Sequence, residues 1–230
     1  MYFIGDTHGD FVGLLAKIKW LNIKNSNLIQ VGDFGLGFRS LNDDMTLIKK
    51  INNFLLKSSN HLYVIRGNHD DPSFFDGSIK RSNIHLLPDY SVISLEERTI
   101  LLVGGAISID RKIRRLGIDF WNEEPFVLDQ IKLDSIISLN NPEIIVTHTA
   151  PSFVFPQSYG EIVFAYAKKD PVLLNELENE RKLVDNFYKT LTKEKKPKDW
   201  YYGHFHQSHR ERIQNIDFCL LNELEFTTKL

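Results

Sequence analysis

The feature that most constrains this chain is a recurring junction, in which a short apolar run breaks at glycine into side chains able to bind a metal. Tyr2-Phe3-Ile4 runs into Gly5-Asp6-Thr7-His8-Gly9, and Leu28-Ile29-Gln30-Val31 into Gly32-Asp33-Phe34-Gly35. His61-Leu62-Tyr63-Val64-Ile65 runs into Arg66-Gly67-Asn68-His69-Asp70. Helical patterns lie between these junctions: Leu14, Leu15, Ile18 and Leu21 in the first interval, then Leu47, Ile48, Ile51, Phe54 and Leu55. Strand alternating with helix predicts βαβ units and parallel strands. Sheets of that kind bind ligands beyond the carboxyl ends of their strands, where these polar clusters stand.

From residue 84 the pattern tightens. His85-Leu86-Leu87 and the segments 91–95 and 99–103 are closely spaced and punctuated by turns, which predicts antiparallel strands. A helix is expected over 127–139 and a strand over 143–147. Residues 151–198 hold a Glu- and Lys-rich helix carrying Leu173, Leu177, Leu183, Val184 and Phe187. Trp200-Tyr201-Tyr202 then leads into Gly203-His204-Phe205-His206, with closing strands at 211–213 and 218–221. With no internal repeat, linker or low-complexity segment, the chain reads as one α/β domain over 1–230, with 151–198 as a candidate helical and aromatic cap.

Composition narrows the function classes. The 230 residues are 42% hydrophobic and 25% charged, ordinary for a globular protein with one sizeable core. A net charge of −2 gives no global signal for nucleic acid. Cys219 is the single cysteine, which excludes an internal disulfide and a cysteine-rich zinc site and fits a reducing compartment. The start lacks the basic segment of a signal peptide, and no apolar run approaches the ~20 residues of a membrane helix. A cytoplasmic protein without membrane contact is expected.

Five clusters carry the chemistry: those at Asp6, Asp33 and Asn68, then Thr147-His148-Thr149 and Gly203-His204-Phe205-His206. Each alone is ordinary turn or capping chemistry. Together they supply carboxylate, amide and imidazole ligands suited to Mn, Fe, Zn or Ni. Asp6 and His8 are two residues apart, as are His204 and His206, so on an extended strand end each pair faces one way.

In this order the clusters resemble the calcineurin-like metallophosphoesterase superfamily, which includes the serine/threonine protein phosphatases and bacterial and phage members. The resemblance runs from Asp6 to His206. It implies two packed mixed β-sheets flanked by helices, a four-layer αββα sandwich. It also implies two divalent metal ions, Mn²⁺ favoured and Fe, Zn or Ni as alternatives. By resemblance Asp6, His8 and His206 hold the first ion, Asn68, His148 and His204 the second, and Asp33 bridges both. A hydroxide between the metals would attack the phosphate, and His69 would protonate the leaving oxygen as general acid. Asp70 stands where relatives carry Asp or Glu, and Arg66 stands where the protein phosphatases place a phosphate-binding guanidinium, though a solvated arginine at a strand end is an equal reading.

The second cluster departs from the protein phosphatases, which extend it with Asp and Arg. Leu36 and Gly37 stand there, and Arg39 is the one nearby substitute. The expected substrate is a phosphomonoester on a protein or small molecule, with phosphodiester or nucleic acid as the alternative and a non-catalytic scaffold as a remote one. The basic run Arg111-Lys112-Ile113-Arg114-Arg115 reads as a substrate-steering patch or a solvated loop. The aromatic stretch Phe153, Phe155, Tyr159, Phe164 and Tyr166 reads as a cap, a self-association surface or core packing.

Overall fold

The computed structural model describes residues 1–193 and 195–228. Four parallel strands, β1 (Tyr2–Ile4), β2 (Asn27–Gln30), β3 (His61–Val64) and β4 (Ile84–Leu86), lie side by side in that order, and β11 (Phe226–Thr228) adds antiparallel to the free edge of β1. A second sheet runs β5 (Ser91–Leu95), β6 (Arg98–Val103), β7 (Ile144–Thr147), β8 (Asp199–Tyr202), β10 (Ile216–Leu220), β9 (His209–Ile213). Its four central strands are parallel and its two edges antiparallel. Five helices complete the fold: α1 (Phe11–Trp20), α2 (Leu41–Lys57), α3 (Gln130–Asn140), α4 (Glu161–Ala167) and α5 (Leu173–Leu191).

The layering follows from strands that are apolar on both faces. Side chains alternate along a strand, so Ile4, Leu28, Leu62 and Val64 meet Leu14 and Ile18 of α1 and Ile48, Ile51 and Leu55 of α2. Their neighbours Phe3 and Ile29 point the other way and meet Leu102, Ile144, Val146 and Tyr201 of the second sheet. On the far side, Leu101, Val103, Ile145 and Trp200 pack against Leu133 of α3 and Val184 and Phe187 of α5. Three apolar interfaces therefore hold four layers, helix, sheet, sheet, helix, as expected. Helix starts are fixed locally: Asp10, Ser40 and Asp129 each accept a backbone N–H from the first turn of α1, α2 and α3.

Four features differ from the sequence expectation. His85-Leu86-Leu87 belongs to a strand parallel to β3, and antiparallel pairing begins only with β5 and β6, while β6 runs parallel to β7. The crossover into β4 is a loop with one short 3₁₀ turn, Pro72–Phe75, so no helical pattern betrays the parallel connection. The helix expected over 127–139 starts at Gln130 because Asp129 caps it. β11 is an additional strand, too short and polar to stand out. Leu183 lies on the outer side of α5, 39% exposed, one helical step from the buried Val184. Among the described residues no helix is long and apolar enough to cross a membrane.

The aromatic stretch divides between roles. Phe153 and Phe155 pack against the interface of the second sheet with α5. Tyr159 and Tyr166 join Ile107, Leu173 and Leu177 in a smaller cluster that seats α4 on α5. Glu180, buried on α5, accepts the N–H groups of Ile107 and Phe126 at 3.2 and 3.1 Å and so ties the helix to the loop after β6.

Two outcomes follow. Phe3 stacks face to face on Tyr201 across the inter-sheet space, with ring planes 6° apart, and both are buried. Phe3→Ala is expected to lower unfolding free energy by about 3–5 kcal/mol in a denaturant titration; an unchanged midpoint would mean the sheets do not depend on this contact. Burial raises the Glu180 pKa from 4.5 to about 7. The folded state therefore prefers the protonated form, and this group's contribution is complete below about pH 4.5 and lost as the pH rises to 7. Glu180→Gln is expected to flatten the stability profile in that window by on the order of 3 kcal/mol, whereas an unaltered slope would remove Glu180 as its source.

Candidate metal centre

The site lies where the sheets' carboxyl ends converge. β1 delivers Asp6 and His8, the loop after β2 delivers Asp33, the loop after β3 delivers Asn68 and His69, β7 ends at His148, and β8 leads to His204 and His206. The ligand atoms form two groups that share one residue: Asp6, His8, Asp33 and His206 in the first, Asp33, His148 and His204 in the second. Asn68 adjoins the second group, its Oδ1 3.2 Å from His148 Nε2. All seven residues expected as ligands are thus brought together.

Asp33 stands between the groups. Its Oδ1 is 3.1 Å from His148 Nε2 and its Oδ2 3.7 Å from His8 Nε2, one oxygen toward each side. His8 Nε2 and His206 Nε2 lie 2.9 Å apart, and His206 Nε2 is 3.4 Å from Asp6 Oδ2. Asp6 Oδ1 and Asp33 Oδ2 are buried and accept no hydrogen bond from the protein. A buried carboxylate oxygen without a donor is costly, and a cation at this spot answers both. The residues therefore fit a metal.

Outer contacts orient the ligands as metal sites require. His148 Nδ1 is 2.9 Å from the Val31 carbonyl, which leaves Nε2 for the site. The Asn68 amide donates to Ser108 Oγ at 3.0 Å, which turns its oxygen inward. His204 N–H donates to Asp6 Oδ2 and His69 N–H to Asp33 Oδ1. Four of the expected ligands, His8, Asp33, His204 and His206, adopt positive φ between 46° and 70°, a conformation that L-residues hold only when their surroundings over-determine it. Two glycines make the approach possible. A Cβ on Gly67 would strike Asp33 Oδ1 and His148 Nε2, and one on Gly203 would strike Asp6 Oδ1.

Crowding sets the titration. Burial opposes ionisation of Asp33, yet His148, His69 and His8 override it and hold the carboxyl well below the usual range. Burial disfavours the charged His148, but Asp33 and Asp6 push its pKa up to about 9. Burial and the neighbouring His148 hold His204 well below its ordinary value. Burial raises Asp6 against the pull of His206, whose own pKa is raised by that hydrogen bond. A metal held here would compete with the proton that Asp33 favours on His148, so binding and proton release would be coupled.

The residues expected to act on substrate divide. His69 lies beside His8, ring edge to face, with Phe38 near its other side. Burial, with Arg114 and His8 adding to it, pushes its pKa down to about 4. Asp70 faces away from any substrate: fully buried, it accepts the N–H groups of Phe34, Gly35, Leu36 and Gly67 between 2.7 and 3.1 Å. Burial and the nearby Asp33 raise its pKa to about 7 against these donors. Arg66 is likewise built into the frame, which contradicts both readings of it. It is 6% exposed, its Nε and NH2 groups bind Asp89 Oδ2 at 3.0 and 2.7 Å, and its guanidinium also donates to the carbonyls of Glu123, Glu124 and Pro125. Arg39 binds the Gly35 carbonyl and Asp44 while lying over the Phe11 ring.

The cation that does reach the site comes from the basic run. Arg114 is nearly buried and places NH2 2.6 Å from His69 Nε2, steered by Asp110 at 2.9 Å and by Ser108. Arg111, by contrast, pairs with Asp170 and Glu176, and Arg115 stays exposed. The sequence signal was the run itself, without a means of choosing among its members.

The sequence matches the model for calcineurin-like phosphoesterases over residues 1–208. No match was found among curated protein sequences. Similar solved structures include GAP50 of Plasmodium, at 16% identity and a TM-score of 0.47 over 96% of this chain and 71% of that one. An archaeal phosphodiesterase has 11% identity and a TM-score of 0.36, covering 97% and 84%. Zinc-bound Vps29 of Entamoeba histolytica has 11% identity and a TM-score of 0.35, covering 97% and 74%. The family match runs through every one of the ligand junctions, from Asp6 to His206, and on that ground the chain belongs to the calcineurin-like phosphoesterase family.

Proposed function

We propose that this protein hydrolyses a phosphate monoester at a centre of two divalent metal ions. The observation that carries the reading is the pair of ligand groups sharing Asp33, with buried oxygens of Asp6 and Asp33 that have no donor. Asp6, His8 and His206 would hold one ion, Asn68, His148 and His204 the other, and Asp33 both. The mixture of oxygen and imidazole ligands suits Mn²⁺, and also Fe, Zn or Ni. When bound, such ions supply a water of lowered pKa and neutralise charge on phosphoryl oxygens.

The chain's own groups do the rest. Asn68 is a neutral oxygen ligand, so it adds no negative charge where an anionic ester must enter. His69 would act on the leaving oxygen as general acid, with Arg114 NH2 2.6 Å from its Nε2. Arg114 supplies the fixed positive charge: it stabilises negative charge that builds on the phosphoryl and leaving oxygens, and it favours a dianionic monoester over a monoanionic diester. Arg66 acts at one remove, holding the 123–125 segment that flanks the Arg114 loop.

Metal-stripped protein is expected to be inactive on p-nitrophenyl phosphate and bis(p-nitrophenyl) phosphate, and to regain turnover with Mn²⁺, Ni²⁺, Zn²⁺ or Mg²⁺ added singly. Asp33→Asn is expected to abolish the restored activity; turnover that needs no metal, or survives Asp33→Asn, would overturn the reading. A preference for the diester would reassign the substrate class to phosphodiesters. Arg114→Ala is expected to lower kcat on the monoester by about 10²–10³-fold, with Arg114→Lys recovering part of it. An unchanged kcat in both variants would exclude Arg114 from the reaction.

A further inference from the structure

A cavity of about 410 Å³ opens directly off the metal centre, lined on one side by Asp33, Asn68, His69, His204 and His206. The rest of its lining is mostly apolar: Ile162, Val163 and Tyr166 of α4 with Leu177 and Phe205, and Ile109 from the loop after β6, where Asp110 also reaches the wall and pairs with Arg114. α4 buries none of its residues fully, and Ile162 is 59% exposed. The helix therefore keeps apolar surface in contact with water beside a site built for an anion. A volume of this order holds a small organic group.

Arg181, on α5, also lines the cavity. It is 7% exposed, lies 5.0 Å from the centre of the Phe205 ring, and donates to the carbonyls of Pro151, Val154 and Pro156. Its Nε is buried with no hydrogen-bond partner, and the neighbouring acids of α5 are engaged elsewhere, Glu180 by the N–H groups of Ile107 and Phe126 and Asp185 by Ser152. Burial lowers its pKa, and the nearby Tyr202, Tyr159, Asp185 and Glu180 offset this only in part. Buried guanidinium groups are normally paired with an acid. Here the missing partner belongs in the cavity.

We infer that the substrate is the phosphate ester of a small, ring-bearing alcohol carrying a carboxylate or carbonyl oxygen, with the ring against Ile162, Val163 and Tyr166 and the oxygen facing Arg181. The segment 151–198 then acts as the substrate-selecting cap. A phosphoserine side chain would leave the apolar walls unfilled and Arg181 unanswered. The inference deepens the phosphoesterase reading and rests on it for the identity of the group held at the metals.

The test separates the two. Affinities of ethylphosphonate, benzylphosphonate and 4-carboxybenzylphosphonate, whose phosphorus–carbon bonds resist hydrolysis, are measured by calorimetry on Mn²⁺-restored protein. Benzylphosphonate is expected to bind about 10-fold more tightly than ethylphosphonate, and 4-carboxybenzylphosphonate about 10-fold more tightly again. Ile162→Asp, on a partly exposed face that leaves the fold intact, is expected to erase the first ratio, and Arg181→Gln the second. Each ratio is taken within one protein, so a general loss of affinity cancels. Equal affinities in the wild type, or ratios that survive both substitutions, would overturn the cavity assignment. Turnover of the matching phosphate esters is scored separately: graded binding with no hydrolysis of any ester upholds the cavity and sinks the phosphoesterase reading alone.

Discussion

The Asp70 carboxylate is the interaction on which the site depends. Its two oxygens collect four backbone N–H groups, three from the loop that carries Asp33 and one from the turn that carries Asn68. Without an acceptor there, those donors would be buried unpaired, each at a cost of about 1–3 kcal/mol. The same carboxylate fixes the relative position of two loops that must present ligands within a few ångströms of each other. Asp33, in its left-handed conformation, stands immediately before the three donors of its loop. A side chain adjacent in sequence to the ligand turn thus organises the centre without entering it.

The centre needs a rigid frame because the ligands arrive from both sheets. Asp6, Asp33 and Asn68 ride on the first sheet and His148, His204 and His206 on the second. Their spacing is therefore set by the layer of Phe3, Ile29, Val146 and Tyr201 between the sheets. Arg66 extends this frame outward. Its guanidinium binds Asp89 and three carbonyls of 123–125, and the neighbouring Glu124 accepts from Ser108, which in turn orients Asn68. Charge that looks catalytic in sequence is here a brace.

The layered fold and the polar clusters that gather at the candidate site were legible in the sequence because both are written in short-range patterns. Each candidate ligand follows an apolar strand within four residues, and each of those strands is apolar on both faces. What escaped was long-range. Arg114 meets His69 across 45 positions from an irregular loop, and nothing local separates it from Arg111, which points to Asp170 and Glu176. The position of Arg66 before Gly67-Asn68 allows a phosphate ligand or a solvated arginine equally, while its partners in the structure lie 23 or more positions away. β4 was expected in an antiparallel group because its crossover carries no helix. α4 shows only partial burial, so its apolar residues leave no clear periodic signature.

The pairing of β11 with β1 bears on the order of events during synthesis. The last described strand lies against the first, Glu225 and Leu224 bond to Gly5 and Asp6, and His204 closes onto the Asp6 carboxylate. The two ends of the ligand set are thus made nearly a whole chain apart. A growing polypeptide emerging from the ribosome carries Asp6 and His8 long before His204 and His206 exist. A metal site that draws on both ends of this set would be complete only once β8 and β11 are in place.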